Sequence, residues 1–297
     1  RSYRDEGVVL LKSIYPRNWL ETLTKALTDV FHLSASRTGN VEALISGQSS
    51  DGMAVDTAEV ARLDGGSTPD LALEGAANEV TGTSFVETDA ARWHRDIRTH
   101  HLEGPLAKII HQLTGSQQLV LYSDQLFYKG AGSRVKTPWH QDKPYFLVDG
   151  GEMAVAWVPV DVVDKEVSAM GYVRGSHLWG KSFKPSDFKT ESGTFPEVGG
   201  IDHSDLEQLD LDRLPQAKIV YFDAEPGDVI VHHWATLHCS TGNTSSDRIR
   251  RAASVRFACD GCRYLPRRSS PEPFRNTIDI APGAKLESSE RWTQAWP

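Results

Sequence analysis

Lys218-Ile-Val-Tyr-Phe222, Val229-Ile-Val231 and Ala252-Ala-Ser-Val-Arg-Phe257 are three short apolar or alternating runs, divided by Gly, Pro and Asp turn residues. Runs of this length, bounded this way and rich in Val, Ile and aromatics, read as strands. Upstream, Leu119-Val-Leu-Tyr122, Gln125-Leu-Phe-Tyr128 and Ala154-Val-Ala-Trp-Val158 repeat the texture. Together they predict a mainly β fold with flanking α-helices, an antiparallel double-stranded β-helix barrel of the jelly-roll or cupin type.

Outward from that core the pattern changes. Glu6-Gly-Val-Val-Leu-Leu11 reads as a short buried strand, and Pro16 suits the start of a helix whose Trp19, Leu20, Leu23, Leu27, Val30 and Phe31 form one apolar stripe. A second amphipathic helix is expected from Gly104 to about Leu113, ended by Gly115. Residues 34–90 read as loops and short pieces, and 181–215 as an insertion between strands. Without an internal repeat or a composition break, one domain over 1–297 is expected. It comprises helical support (1–118), barrel core (119–265) and a C-terminal tail (266–297).

The chain has 297 residues, 39% hydrophobic, enough for a substantial core. Its 32 Lys and Arg against 40 Asp and Glu give a net charge of -8 with no dense basic run, which argues against a nucleic-acid partner. No apolar stretch approaches the ~20 residues that span a bilayer, and the first residues lack a secretory pattern, so no membrane partner and a cytoplasmic location are expected. Three cysteines fit a reducing compartment, and the lone Cys259-Asp-Gly-Cys262 reads as two ordinary thiols.

Chemistry concentrates in two places. In Thr137-Pro-Trp-His140-Gln-Asp142, extended backbone would project an imidazole and a carboxylate to the same side. A third ligand is available in Gly227-Asp-Val-Ile-Val-His232-His233-Trp-Ala-Thr-Leu-His238. Two His and one carboxylate form the facial triad of non-haem Fe(II) oxygenases. His232 and His233 would point to opposite faces of a strand, so at most one could approach a metal. In the strand that follows, Arg250, Ala252, Ser254 and Arg256 share one face and Arg251, Ala253, Val255 and Phe257 the other. Two arginines among small residues suit the lining of an anion pocket, because guanidinium groups bind carboxylates in a fork and stay charged when buried.

Several segments in this order carry a resemblance: Glu6-Gly-Val-Val-Leu-Leu11, Asp124-Gln-Leu-Phe-Tyr-Lys129, Trp139-His-Gln-Asp142, Val173-Arg-Gly-Ser-His177, Pro226-Gly-Asp228, and His238 followed by Gly242-Asn243 and Arg250-Arg251. From Glu6 to about Pro273 the chain resembles the phytanoyl-CoA dioxygenase (PhyH-like) family of Fe(II)/2-oxoglutarate-dependent oxygenases. The resemblance implies iron held by His140, Asp142 and His238, with the distal carboxylate of 2-oxoglutarate clamped by Arg250. It also implies co-substrate contacts from Lys129, Gln141, Trp157 and Ser240.

The implied reaction consumes 2-oxoglutarate and O2, releases succinate and CO2, and hydroxylates an unactivated C–H bond of a small molecule. Asp142 favours hydroxylation, since a related halogenating site has a small residue there. Desaturation or ring-forming oxidation of a natural-product intermediate, or a non-oxidative cupin-type metalloenzyme, are the alternatives. Arg256, with Lys143 or Arg263, is expected near the barrel mouth, meeting an anionic or carbonyl group of the substrate. Two departures stand out. The family often carries Asn-Gly where this chain reads Glu166-Val-Ser-Ala-Met170, and Arg250 follows His238 by one position more than is frequent, making Arg251 a fallback clamp. His177 reads as a turn or packing residue.

Overall fold

The computed structural model describes residues 2–37, 84–184, 207–215, 218–266 and 278–296. Most of the expected loop region 34–90, the central part of the 181–215 insertion and the first part of the tail therefore lie outside the described residues.

Along the chain the elements are α1 (Ser2–Glu6), β1 (Val8–Leu11), α2 (Arg17–Arg37), β2 (Ser84–Thr88), α3 (Arg95–Glu103), α4 (Leu106–Thr114), β3 (Leu119–Lys129), β4 (Thr137–His140), β5 (Val148–Asp149), β6 (Met153–Pro159), β7 (Met170–Val173), β8 (Ile219–Phe222), β9 (Val229–His233), β10 (His238–Ser240), β11 (Arg250–Ala258), β12 (Arg263–Tyr264) and β13 (Thr293–Trp296). The larger sheet runs β1-β9-β6-β11-β3-β13, with β2 also on β3, and the smaller runs β4-β10-β7-β8. All their pairings are antiparallel. This is the jelly-roll architecture expected from the strand texture. No described helix is long and apolar enough to cross a membrane.

Both faces of the larger sheet are covered, which explains why β6 reads as an unbroken apolar run. On one side Ala154, Ala156, Val231, Ala253, Val255 and Phe257 pack against Leu23, Leu27 and Val30 of α2, Ile97 of α3 and Ile110 of α4. Leu23, Leu27 and Ile110 are completely buried, and burying each contributes about 2 kcal/mol relative to exposure. On the other side Trp157, Ile230 and Ala252 meet Met170, Tyr172 and Phe222 of the smaller sheet.

Three local readings change. The two strands expected at Leu119–Tyr122 and Gln125–Tyr128 are one continuous β3, with a bulge where Arg256 pairs Ser123 but Phe257 pairs Leu121. The extra residue, Tyr122, turns its hydroxyl to accept from Leu147 N at 2.9 Å. Asp124 does not break the strand, because its carboxylate accepts Ala90 N and Ala91 N at 2.8 Å each. Finally, α3 has no counterpart in the sequence reading. Two of its buried positions are His100 and His101, polar residues at core sites, so the apolar stripe is interrupted.

The N-terminal strand β1 is the edge partner of β9, pairing Val8 with His232 and Leu11 with Val229. Just before it, Gly7 O accepts His233 N at 2.9 Å and the Thr236 hydroxyl at 2.8 Å, and Glu6 O accepts Gly175 N at 2.7 Å. Gly7 adopts φ +74, and a Cβ there would lie 2.5 Å from Thr236 Oγ1, so only glycine fits.

Candidate metal centre

His140 closes β4 and His238 opens β10, and the antiparallel register sets the two opposite one another. Asp142 Oδ1 lies 3.6 Å from His140 Nε2 and 3.8 Å from His238 Nε2. One ligand atom from each residue falls within 4.8 Å of the others, and this is the only such group of His, Cys, Asp or Glu among the described residues. Asp142 reaches this position by a route different from the one expected. It is not extended: with φ -73 and ψ -32 it starts a 3-10 turn over Lys143–Tyr145. Asp142 N and Lys143 N both donate to Trp234 O, which fixes that turn.

Each imidazole is oriented from behind. His140 Nδ1 bonds Pro138 O and His238 Nδ1 bonds Thr236 O, both at 2.9 Å. A carbonyl can only accept, so Nδ1 carries the proton and Nε2 presents its lone pair to the centre. Burial, reinforced by His140 and His232, holds His238 neutral well below the usual imidazole range. Burial would raise Asp142, but the neighbouring His140, His238 and Arg256 outweigh it and hold its carboxyl well below the usual range. Two imidazoles presenting Nε2 beside a buried carboxylate are the donor set a divalent cation of intermediate softness takes.

Beside the triad lies a second polar group. Arg250 is 1% exposed and stands opposite Lys129 in the β11–β3 register. Its guanidinium lies between the rings of Phe127 and Trp157, at 5.9 and 5.5 Å. Burial lowers it to about 10, so it remains a cation near neutrality. Nη2 donates to Ser168 Oγ at 3.0 Å, but Nε and Nη1 have no partner. Burial and the neighbouring Arg250 push Lys129 well below the usual amine range, and its Nζ donates to Ser240 Oγ at 2.8 Å and Thr241 O at 2.9 Å. Tyr172, whose ring stacks on His238 at 6.0 Å, also has a buried hydroxyl without a partner. An unmet buried donor costs about 1–3 kcal/mol, so this group suits a ligand that only accepts, such as a carboxylate.

The remaining candidates divide. Trp157 and Ser240 adjoin Arg250 and Lys129 as described. Gln141 is placed differently: its amide donates to Ala235 O and Lys181 O and accepts Phe183 N, so the backbone takes it up. Arg251 faces away from Arg250 and binds Asp161 through Nε and Nη2. Arg256 is 6% exposed, with Nε 3.9 Å from Asp142 Oδ2 and Nη2 on Gln125 Oε1, deeper than a position at the mouth. Lys143 lies over Trp234 at 5.6 Å, while Arg263 donates to Gly283 O on an exposed edge.

His232 lies 4.4 Å from His238, ring to ring, outside the converging group, and burial lowers it to about 4. His233 turns the other way, towards Glu152 at 3.8 Å. His177 donates to Arg4 O and packs on His233, as a turn residue would. Cys259 and Cys262 are free, buried thiols, both pushed up to about 12 by burial.

Ser168 and Tyr172 were missed by the sequence reading. Ser168 falls in the loop that departs from the usual Asn-Gly, which was the available signal. Tyr172 gave none, since a tyrosine in a short strand reads as packing.

The phytanoyl-CoA dioxygenase (PhyH) family model matches residues 3–252. The chain belongs to the PhyH family. This PhyH-family protein is accordingly a 2-oxoglutarate-dependent non-haem iron enzyme, using iron, 2-oxoglutarate and O2. Among solved structures it is similar to SnoK, a non-heme alpha ketoglutarate dependent carbocyclase from nogalamycin biosynthesis. That match has 21% identity and a TM-score of 0.63 over 99% of this chain and 94% of that one. SnoN, an epimerase of the same biosynthesis solved with Fe3+, alpha ketoglutarate and nogalamycin RO, shares 19% identity at a TM-score of 0.62 over 99% and 96%. EvdO2 from Micromonospora carbonacea var. aurantiaca, complexed with 2-oxoglutarate, shares 18% at 0.53 over 92% of each chain. No curated protein sequence matches significantly.

Proposed function

We propose that this enzyme hydroxylates an unactivated C–H bond of a small molecule, with 2-oxoglutarate and O2 converted to succinate and CO2. One observation carries the reading: buried, unpaired donors on Arg250 share the barrel interior with the His140, Asp142 and His238 group. The residues present suit both iron and 2-oxoglutarate, since the triad offers two imidazole Nε2 atoms and a carboxylate and Arg250 offers donors that lack an acceptor.

In this reading His140, Asp142 and His238 hold Fe(II), and Arg250 holds the distal carboxylate of 2-oxoglutarate, supported by Lys129, Ser240 and the Trp157 ring. Bound iron and 2-oxoglutarate supply the power to oxidise the substrate with O2; the protein supplies position and exclusion of water. The carbonyls of Pro138 and Thr236 keep both Nε2 atoms directed at the metal position. Arg256 meets an anionic or carbonyl group of the substrate through its Nε, which faces Asp142 but has no hydrogen-bond partner. Three free, buried cysteines agree with a cytoplasmic location.

A second reading is supported by the neighbours, a carbocyclase and an epimerase on the same fold. Ring closure and stereochemical inversion share the loss of a substrate hydrogen with hydroxylation. Loading the enzyme anaerobically with Fe(II) and 2-oxoglutarate, adding candidate substrates and then admitting O2 separates the readings. Hydroxylation adds one oxygen atom, ring closure or desaturation removes two hydrogens, and epimerisation leaves the mass unchanged. Turnover without succinate would favour a non-oxidative metalloenzyme and overturn the proposal.

A further inference from the structure

Ser168 is completely buried and adopts φ +56, in the left-handed region where a side chain is unfavourable and glycine is not. Glycine would fit the backbone better, yet the residue present carries a hydroxyl with two partners. Ser168 Oγ donates to Thr241 O at 2.5 Å and accepts from Arg250 Nη2 at 3.0 Å. Thr241 O also receives Lys129 Nζ. The hydroxyl thus joins the guanidinium to the strand end that anchors the neighbouring ammonium. The Phe127 and Trp157 rings, at 5.9 and 5.5 Å, offer the guanidinium no hydrogen bond that would fix its side-chain torsions. The bond from Nη2 to Ser168 Oγ does so.

We propose that Ser168 is a positioning residue, kept in an unfavourable backbone conformation because its hydroxyl fixes the side-chain torsions of Arg250 and so presents the remaining donors to the co-substrate carboxylate. Strain of this kind persists where the surrounding structure over-determines it. The inference rests on the reading of Arg250 as the carboxylate clamp.

Four variants test it: Ser168→Ala, Ser168→Gly, Ser168→Thr and Arg250→Gln. The readouts are the melting temperature of the metal-free protein, the dissociation constant for 2-oxoglutarate with Fe(II) under anaerobic conditions, and the KM and kcat for 2-oxoglutarate. Alanine keeps the strain and loses the hydroxyl; glycine loses both. Ser168→Gly should therefore melt a few degrees above Ser168→Ala, while both weaken 2-oxoglutarate binding alike, by about tenfold, the loss of one charged hydrogen bond. KM should rise by the same factor, with kcat at saturation held within about twofold. Threonine, which restores the hydroxyl, should restore affinity while melting lower than the wild type.

Binding by either hydroxyl-free variant at wild-type strength would overturn the proposal, as would affinity that follows melting temperature rather than the hydroxyl. Arg250→Gln separates the two layers. If it too binds 2-oxoglutarate normally, the clamp reading itself fails. If it loses binding while the Ser168 variants do not, only the role of Ser168 falls.

Discussion

The guanidinium of Arg256 stands beside the carboxylate of Asp142, Nε to Oδ2 at 3.9 Å, with the Phe146 ring at 5.5 Å. The other Asp142 oxygen faces the two imidazoles, so the carboxylate lies between a fixed cation and the metal position. Nε of Arg256 has no hydrogen-bond partner, while Nη2 is engaged by Gln125.

Replacing Arg256 by Ala is expected to raise the KM of the primary substrate about tenfold, near 1.4 kcal/mol of lost binding. The slow turnover of 2-oxoglutarate without substrate should stay within about twofold. Steady-state kinetics of both reactions check this. An equal loss in both would mean that Arg256 serves Asp142 rather than the substrate.

A metal that binds only the folded chain stabilises it by mass action. Anaerobic calorimetry should show the melting temperature rise with added Fe(II) and return on chelation. Asp142→Ala and His238→Ala should show no such response, and iron analysis should find them empty. A full response in Asp142→Ala would remove that residue from the ligand set.

Arg251 and Asp161 form a forked pair, both less than one-fifth exposed, with Nε, Nη2 and the Arg251 amide all on the one carboxylate. Arg251→Ala should cost about 1–2 kcal/mol of stability, as charge-assisted bonds of this kind do. The affinity for 2-oxoglutarate should not change. Denaturant unfolding and equilibrium binding on one preparation check both halves. A tenfold loss of affinity would restore Arg251 as a clamp.

Tyr15, His100 and His101 are linked through buried contacts towards Asp124, and burial lowers His100 to about 3. In the unfolded chain the same imidazole titrates near 6.5. Between pH 6.5 and 3 the unfolded state therefore carries the extra proton, and stability falls as pH falls. Compared with His100→Gln, the wild type should lose about 1.4 kcal/mol more per pH unit through this window. Urea titrations at pH 6.5, 5.5 and 4.5 would show it; parallel lines for the two proteins would refute it.

What the sequence discloses depends on whether a residue's role follows from local spacing. The alternation in β11 separates Arg250, Ser254 and Arg256 from Arg251, Val255 and Phe257, because each face meets a different layer, and the burial of Arg250 and Arg256 agrees with it. His140 and Asp142 drew notice for a spacing in extended chain, yet they meet through a turn pinned by Trp234 O. Spacing within one segment left His232, His233 and His238 open; the resemblance implied His238, and the β4–β10 register is the long-range pairing that sets it opposite His140. Arg256 was assigned the right face but not its depth, since nothing local says that the Asp142 turn folds back against it. His100 and His101 hid α3, because buried histidines look like a polar surface in one dimension.

Gly7 ties two regions that sequence separates widely. Through its carbonyl and that of Glu6, the front of the chain grips both the lead-in to His238 and the turn after β7. Glu6 and Gly7 thus brace the segments that lead into His238 and follow β7. Fraying β1 would loosen the segment that carries His238 to the metal position.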